Sequence, residues 1–132
     1  MAKKEFITKD SGKRQEYASG MRRDLQTGKA NFNLIVGKKQ KYDESMLYRW
    51  AMLMTHGAEK YGERNWEKAN SEEELERFKA SAFRHFIQWL SGEEDEDHGA
   101  AVFFNINCAE YTKDQIEKKK EKGKEKWRQK LI

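Results

Sequence analysis

SEEELERFKASAFRHFIQWLSGEEDEDHGAAVFFNINCAEY, residues 71–111, decides the fold. Ser71 followed by Glu74 reads as a capping box, in which a hydroxyl and a carboxylate satisfy each other's orphan amides at a helix start. Behind it, apolar residues recur at helical spacing: Leu75, Phe78, Ala82, Phe86 and Trp89 on one stripe, Ala80, Phe83, Ile87 and Leu90 on a second. Two stripes predict a helix to about Leu90 that is buried on more than one side, hence a central one. Gly92 is placed to stop it in a left-handed conformation. Five acids follow, Glu93, Glu94, Asp95, Glu96 and Asp97. After them His98, Ala101, Val102, Asn105 and Ala109 share one face, with Phe104 and Cys108 beside it, which predicts a buried helix to about Tyr111.

Upstream, Met46, Leu47, Trp50, Met54 and Ala58 form one apolar stripe, with Asp43 or Ser45 to cap its start and Gly57 or Gly62 to end it. Residues 1–45 hold Gly12, Gly20, Gly28 and Gly37, many charges and no sustained period. They read as an irregular arm, poorly structured over 1–19, that lies over the core because Phe32, Leu34 and Ile35 need cover. Downstream, 112–132 is a separate Lys/Glu helix. Strand alternation, internal repeats and Pro-rich linkers are absent. The expected fold is all-α, a helical bundle of three core helices with an irregular N-terminal arm and a charged C-terminal helix, its working domain spanning 1–111.

Composition fits one thinly cored domain. The 132 residues leave room for a single domain. Leu, Ile, Val and Phe total 22, below the ~20% line where disorder becomes a live reading. Clustering restores a core, since Trp50, Trp66, Trp89 and three of the five methionines lie between 46 and 90. A lone Cys108 excludes a disulfide framework within the chain. No apolar run approaches a membrane span, and the Lys-rich start lacks an apolar signal segment, so a soluble cytoplasmic protein with no membrane partner is expected. The net charge of +4 is a tail property: 112–132 carries nine Lys/Arg against four Asp/Glu. There the signs interleave, as on a solvated helix face, so nucleic acid is not the expected partner.

The acidic run is the sharpest chemical feature. Glu94 and Asp97, three apart, project from one side of a helix turn, and clustered carboxylates suit hard cations such as Mg²⁺ or Mn²⁺. Exchanging either for its amide is expected to cut turnover by about a hundredfold or more, while stability in metal-free buffer holds or rises because like-charge repulsion falls. His98 and Asn105 lie two turns apart on the same face as Asp97, and Arg84 and His85 lie one to two turns from the run. Gathered at one end of a bundle with Glu93, they have the makings of a metal-phosphate site. Asn65-Trp66, after a glycine-flanked turn, reads either as a turn with a core plug or as a base-edge reader beside a stacking face. Walker A is absent, Thr27-Gly28-Lys29 being only a weak echo. Cys108 reads as a buried core thiol. One cysteine and the histidines His56, His85 and His98 do not suggest zinc, and Asp97-His98 reverses the order of an HD phosphohydrolase pair.

Three blocks, GAEKYGERNWEK (57–68), SAFRHFIQWLSGE (81–93) and DEDHGAAVFFNI (95–106), with RRDLQTGKANFNLI (22–35) upstream, resemble the phage dATP/dGTP diphosphohydrolase family. That family is a divergent relative of the MazG-like all-α nucleotide pyrophosphohydrolases. The resemblance covers about 20–111 and leaves the tail outside. It implies a MazG-like bundle that cleaves purine deoxynucleoside triphosphates (dATP, dGTP) between the α and β phosphates with Mg²⁺ or Mn²⁺, in the host cytoplasm if phage-encoded. MazG-like enzymes hold metal with ExxE on one helix and ExxD on the next. Glu94 and Asp97 fit the second, and the earlier helix offers Glu59 and Glu63, four apart, so the implied ligands are Glu59, Glu93, Glu94 and Asp97. Glu93, Glu94 and Asp97 carry the catalysis, with Glu94 accepting the water's proton. Lys29, Lys60, Asn65, Trp66, Arg84, His85, His98 and Asn105 bind substrate, Lys60 and Arg84 against the leaving pyrophosphate and Asn65 with Trp66 against the base. Relatives use subunit contacts, so a homo-oligomer is expected. The competing readings are a small phage-type protein that binds nucleic acid or a host protein through its tail, and a catalytically idle nucleotide sensor.

Overall fold

The computed structural model describes residues 5–131, and its contacts divide the chain into an N-terminal unit ending at Leu34 and a helical unit beginning at Ile35. The N-terminal unit holds a short antiparallel hairpin, β1 (Arg14–Glu16) and β2 (Arg22–Asp24), with Arg14 opposite Asp24 and Glu16 opposite Arg22. Asp24 accepts from the Ser11 hydroxyl, and Arg14 pairs with Asp10 at 2.7 Å, so polar contacts hold it. Three-residue strands with charges on both faces leave no apolar period, which is why an irregular arm was the sequence expectation. Residues 1–4 of that arm lie outside the described residues. Phe32, Leu34 and Ile35 are 76, 82 and 60% exposed. They form a 3₁₀ turn, Phe32–Ile35, held by local bonds to Asn31 (Leu34 N–H to its carbonyl, Asn33 N–H to its side chain) rather than by burial.

The helical unit contains α1 (Met46–Tyr61), a 3₁₀ turn (Asn65–Lys68), α2 (Glu72–Leu90) and α3 (His98–Lys130). Ser45 caps α1 by accepting from the Tyr48 amide at 3.2 Å. The capping box forms as its sequence indicates: the Glu74 amide donates to the Ser71 hydroxyl, and the Glu74 carboxylate accepts from the Asn70 amide at 3.1 Å. Gly92 ends the α2 segment at φ +75°, a left-handed value that a side chain would strain.

Two expectations give way. First, the helix after the acidic loop does not stop near Tyr111 but continues through the tail to Lys130 as one 33-residue helix. Nothing between Tyr111 and Lys113 breaks a helix, and the Thr112 hydroxyl bonds back to the Cys108 carbonyl at 2.7 Å. Second, α3 is the central helix, packing against both α1 and α2. Its buried face is built of small residues (Ala100, Ala101, Cys108, Ala109, Thr112), which let its neighbours approach. α2 buries only Leu75 and His85; Leu75 meets Ala109 and Ile116, with Phe78 alongside. One neighbour covers one stripe, so Phe83, Phe86, Ile87, Trp89 and Leu90 stay 41–68% exposed. No helix among the described residues is long and apolar enough to cross a membrane.

Candidate active site

The loop between α2 and α3 carries the site because two helix ends converge there. Asp97 is the N-cap of α3, its Oδ1 accepting from the Ala100 amide at 3.0 Å. The same carboxylate takes both prongs of Arg49 from α1, Nε to Oδ2 at 2.7 Å and Nη2 to Oδ1 at 2.5 Å. The guanidinium beside it holds the Asp97 carboxyl below the usual carboxylate range and raises Arg49 in turn. This fork ties α1 to the acidic loop, so an amide at 97 would keep an acceptor for the cap but lose an ion pair, which runs against the expectation that stability holds or rises. Gly99 stands under the fork, where a Cβ would lie 3.3 Å from Arg49 Nη2.

Next to Asp97, His98 is fully buried, and His85 of α2 is nearly so. Their Nδ1 atoms face each other at 2.9 Å, and His98 Nε2 meets Asp95 Oδ1 at 2.7 Å. With both rings neutral, one proton arrangement satisfies both contacts: His98 Nε2–H donates to Asp95, and His85 Nδ1–H donates to His98 Nδ1. That leaves His85 Nε2 as an acceptor, with Arg84 Nη2 at 3.5 Å. Desolvation, then the Arg84 charge, pushes the His85 imidazole below its ordinary value, while the bond from His98 lowers the Asp95 carboxyl. Glu96 completes a group in which one ligand atom each from His85, Glu96 and His98 lies within 4.8 Å of the others.

A cleft of about 670 Å³ opens beside this group. Its lining includes Lys60, Asn65 and Trp66 towards one end and His85, Glu96, Asp97 and Asn105 from the loop and helices. The volume lies within the ~300–1,000 Å³ of small-molecule sites. Trp66 is half-buried and packs edge-on to Tyr111, centroids 5.0 Å apart. Asn105 is buried, its amide donating to the Ala101 carbonyl at 2.8 Å. A second hollow of about 330 Å³ is lined by Arg49, Glu93, Glu94, Glu96, Asp97 and His98 among others, so Glu96 and Asp97 line both.

Of the residues singled out in the sequence, the fold thus brings Lys60, Asn65, Trp66, His85, Asp97 and Asn105 to the cleft, and Glu93, Glu94 and His98 to the smaller hollow. Arg84 is exposed beside His85, outside the cleft lining. Glu59 is exposed on α1 and lines neither cavity. Lys29 belongs to the N-terminal unit, where it pairs with Asp24 at 3.5 Å. Cys108 is buried, its thiol pushed up to about 12 by desolvation, as suits a core thiol. Three participants carry no mark in the sequence reading: Arg49, 48 residues from its partner; Glu96, hidden among equivalent acids; and Asp95, whose i, i+3 relation to His98 is the one available signal.

A family model described as dATP/dGTP diphosphohydrolase, N-terminal, matches residues 19–129. No curated protein and no solved structure gives a significant match. The family match takes in the cleft, the acidic loop, the histidine pair and α3 almost to its end, well past the Tyr111 limit of the motif blocks. The chain therefore belongs to the dATP/dGTP diphosphohydrolase family and is a hydrolase acting on nucleotides.

Proposed function

We propose that the protein hydrolyses purine deoxynucleoside triphosphates, dATP and dGTP, between the α and β phosphates, giving the monophosphate and pyrophosphate with a divalent cation, Mg²⁺ or Mn²⁺. The observation that carries this reading is one cleft in which an aromatic face and an amide (Trp66, Asn65) meet a lysine (Lys60) and an acidic loop. The donor set fits a hard cation, because Glu93 and Glu94 supply oxygens around a common hollow that Asp97 also lines. When bound, the cation neutralises phosphate charge and lowers the pKa of a water. Glu94 takes the proton from the attacking water. Lys60, with Arg84 swung in from its exposed position, counters charge on the departing pyrophosphate. Trp66 stacks on the base, Asn65 reads its edge, and Asn105 lines the floor.

The protein works in this reading as a homo-oligomer. Phe83, Phe86, Ile87, Trp89 and Leu90 of α2 and Phe103 and Ile106 of α3 are left 41–68% exposed, a concentration of apolar surface that a second copy would cover. Sedimentation of the wild type and of Phe83→Glu tests the assembly. For the reaction, the protein is incubated with each deoxynucleotide plus Mg²⁺ or Mn²⁺ and the products are resolved by chromatography. Monophosphate with pyrophosphate is expected from dATP and dGTP. Diphosphate with inorganic phosphate, or no turnover, overturns the proposal.

A further inference from the structure

We infer that His85, Glu96 and His98 form a resident site for a first-row transition-metal ion, distinct from the hard cation that accompanies the triphosphate. The two imidazoles are the starting point. Polar rings are buried only with partners, and here each ring's inner nitrogen has only the other: Nδ1 faces Nδ1 at 2.9 Å in the interior between α2 and α3. Asp95 fixes the arrangement from outside. By accepting from His98 Nε2 at 2.7 Å it sets the tautomer whose Nδ1 carries a lone pair, and that lone pair is aimed at His85. A carboxylate on the far nitrogen is how ligating imidazoles are ordinarily oriented. The turn that closes with the His98 amide on the Glu96 carbonyl, 3.0 Å, folds Glu96 back over His98 and brings its carboxylate into the group.

Two nitrogens and one carboxylate select the ion by chemistry. Mg²⁺ wants oxygen donors at near-octahedral geometry, whereas imidazole suits zinc, cobalt, nickel, iron and their neighbours. Three protein donors leave a position open to water or a phosphate oxygen, as in hydrolytic metal sites. Nitrogen ligands at about 2.1 Å on a tetrahedral ion stand about 3.4 Å apart, so the rings must part by about half an ångström and the His85 Nδ1 proton must move to Nε2. His85 lies near the end of α2 and His98 at the first turn of α3, and the joint between them is a loop.

Cobalt(II) alone, added to the nucleotide-free full-length protein, is the probe. One equivalent is expected to bind with a visible ligand-field band, to be displaced by one equivalent of Zn²⁺, and to survive about a hundredfold excess of Mg²⁺. His85→Gln should abolish the band. Glu96→Gln, at an exposed position, should weaken binding by about ten- to a hundredfold with an unchanged melting curve. The inference is overturned if the wild type gives no band, if Mg²⁺ displaces the cobalt at comparable concentration, or if folded Glu96→Gln binds as tightly as the wild type. Should His85→Gln unfold, the Glu96 variant alone decides. Turnover is not read, so failure of the pyrophosphohydrolase proposal leaves this result standing.

Discussion

α3 is one helix with two different halves. From His98 to Ile116 it buries eight residues, among them both polar groups of the site, His98 and Asn105. From Glu117 to Lys130 it buries none, and its ion pairs run along the helix surface, as in Lys120–Glu117 at 3.6 Å and Lys124–Glu121 at 3.7 Å. Pairs of that kind contribute about 0.3–0.5 kcal/mol each at best. An isolated helix of this length is marginal in water. The second half is helical because the first half, held by packing, has already supplied the nucleus, and propagation adds residues cheaply. Chemistry accordingly gathers where tertiary packing fixes the backbone, and the charged half is free to vary.

The largest test of that contrast is where the helix can be cut. Ending the chain after Tyr111 removes Thr112, fully buried, and Ile116, which closes the cluster with Leu75 and Ala109. Ile→Ala in a core costs about 2–5 kcal/mol, so a chain of residues 1–111 should lose at least about 3 kcal/mol and its cooperative transition in urea. Ending it after Lys120 should cost about 0.5 kcal/mol or less. A 1–111 chain that unfolds at the wild-type midpoint would make Tyr111 a true boundary and put the division between the halves in the wrong place.

That boundary shows what was legible. Helix existence, the Ser71–Glu74 start and the Gly92 stop were readable because each is a local device written within four residues. The end of α3 was not, because a change of composition from apolar to Lys/Glu looks like a change of element although backbone hydrogen bonding does not register it. Burial was half readable: the period of α2 announces two apolar stripes, yet whether a stripe is covered depends on how many neighbours exist, and among the described residues α3 is the helix packed most closely on it. The acidic loop was visible as a candidate, but which acids do what was not. Arg49, from a different helix, claims Asp97, and a histidine from α2 turns His98 and Asp95 into a hydrogen-bonded chain. Contacts across 13 and 48 residues leave no spacing signal.

Two carboxylates along α3 also differ in what they do. Asp97 caps the helix and binds Arg49, whereas Asp114 makes a surface pair with Lys118 at 2.9 Å. In metal-free buffer Asp97→Asn should lower stability by about 1 kcal/mol, from the lost, half-exposed fork, since Asn caps a helix about as well as Asp. Asp114→Asn should fall within about 0.5 kcal/mol of the wild type. The acid dependence follows. Because Arg49 depresses the folded-state carboxyl of Asp97, its stabilisation is present above the ordinary aspartate value near 3.8 and is lost as pH falls below it. The Asn variant should lack that part of the acid limb in urea melts recorded from pH 7 down to 2. Parallel acid limbs for the variant and the wild type would mean that Arg49 does not hold Asp97 in solution.

The smallest effect is the most discriminating, because the same substitution is made twice in one helix. Glycine within a helix costs about 0.5–1 kcal/mol relative to alanine, through backbone entropy. Gly123 has open space around it, with nothing within 4 Å of where a Cβ would stand. Gly123→Ala should therefore collect most of that amount and raise the melting temperature by a few degrees. At Gly99 the new Cβ would meet Arg49 Nη2 at 3.3 Å, with Met46 Cε at 3.6 Å and Asp97 Oδ1 at 3.7 Å. The fork cannot yield without lengthening its bond to Asp97, so the helix gain is offset by a strained ion pair, and Gly99→Ala should be neutral or destabilising. Adding Arg49→Ala separates the two terms: with the guanidinium gone, Gly99→Ala should become stabilising, a coupling that a double-mutant cycle reads directly. If Gly99→Ala stabilises in the wild-type background as much as Gly123→Ala does, Arg49 does not press on the first turn of α3, and the two halves of the helix differ in burial alone.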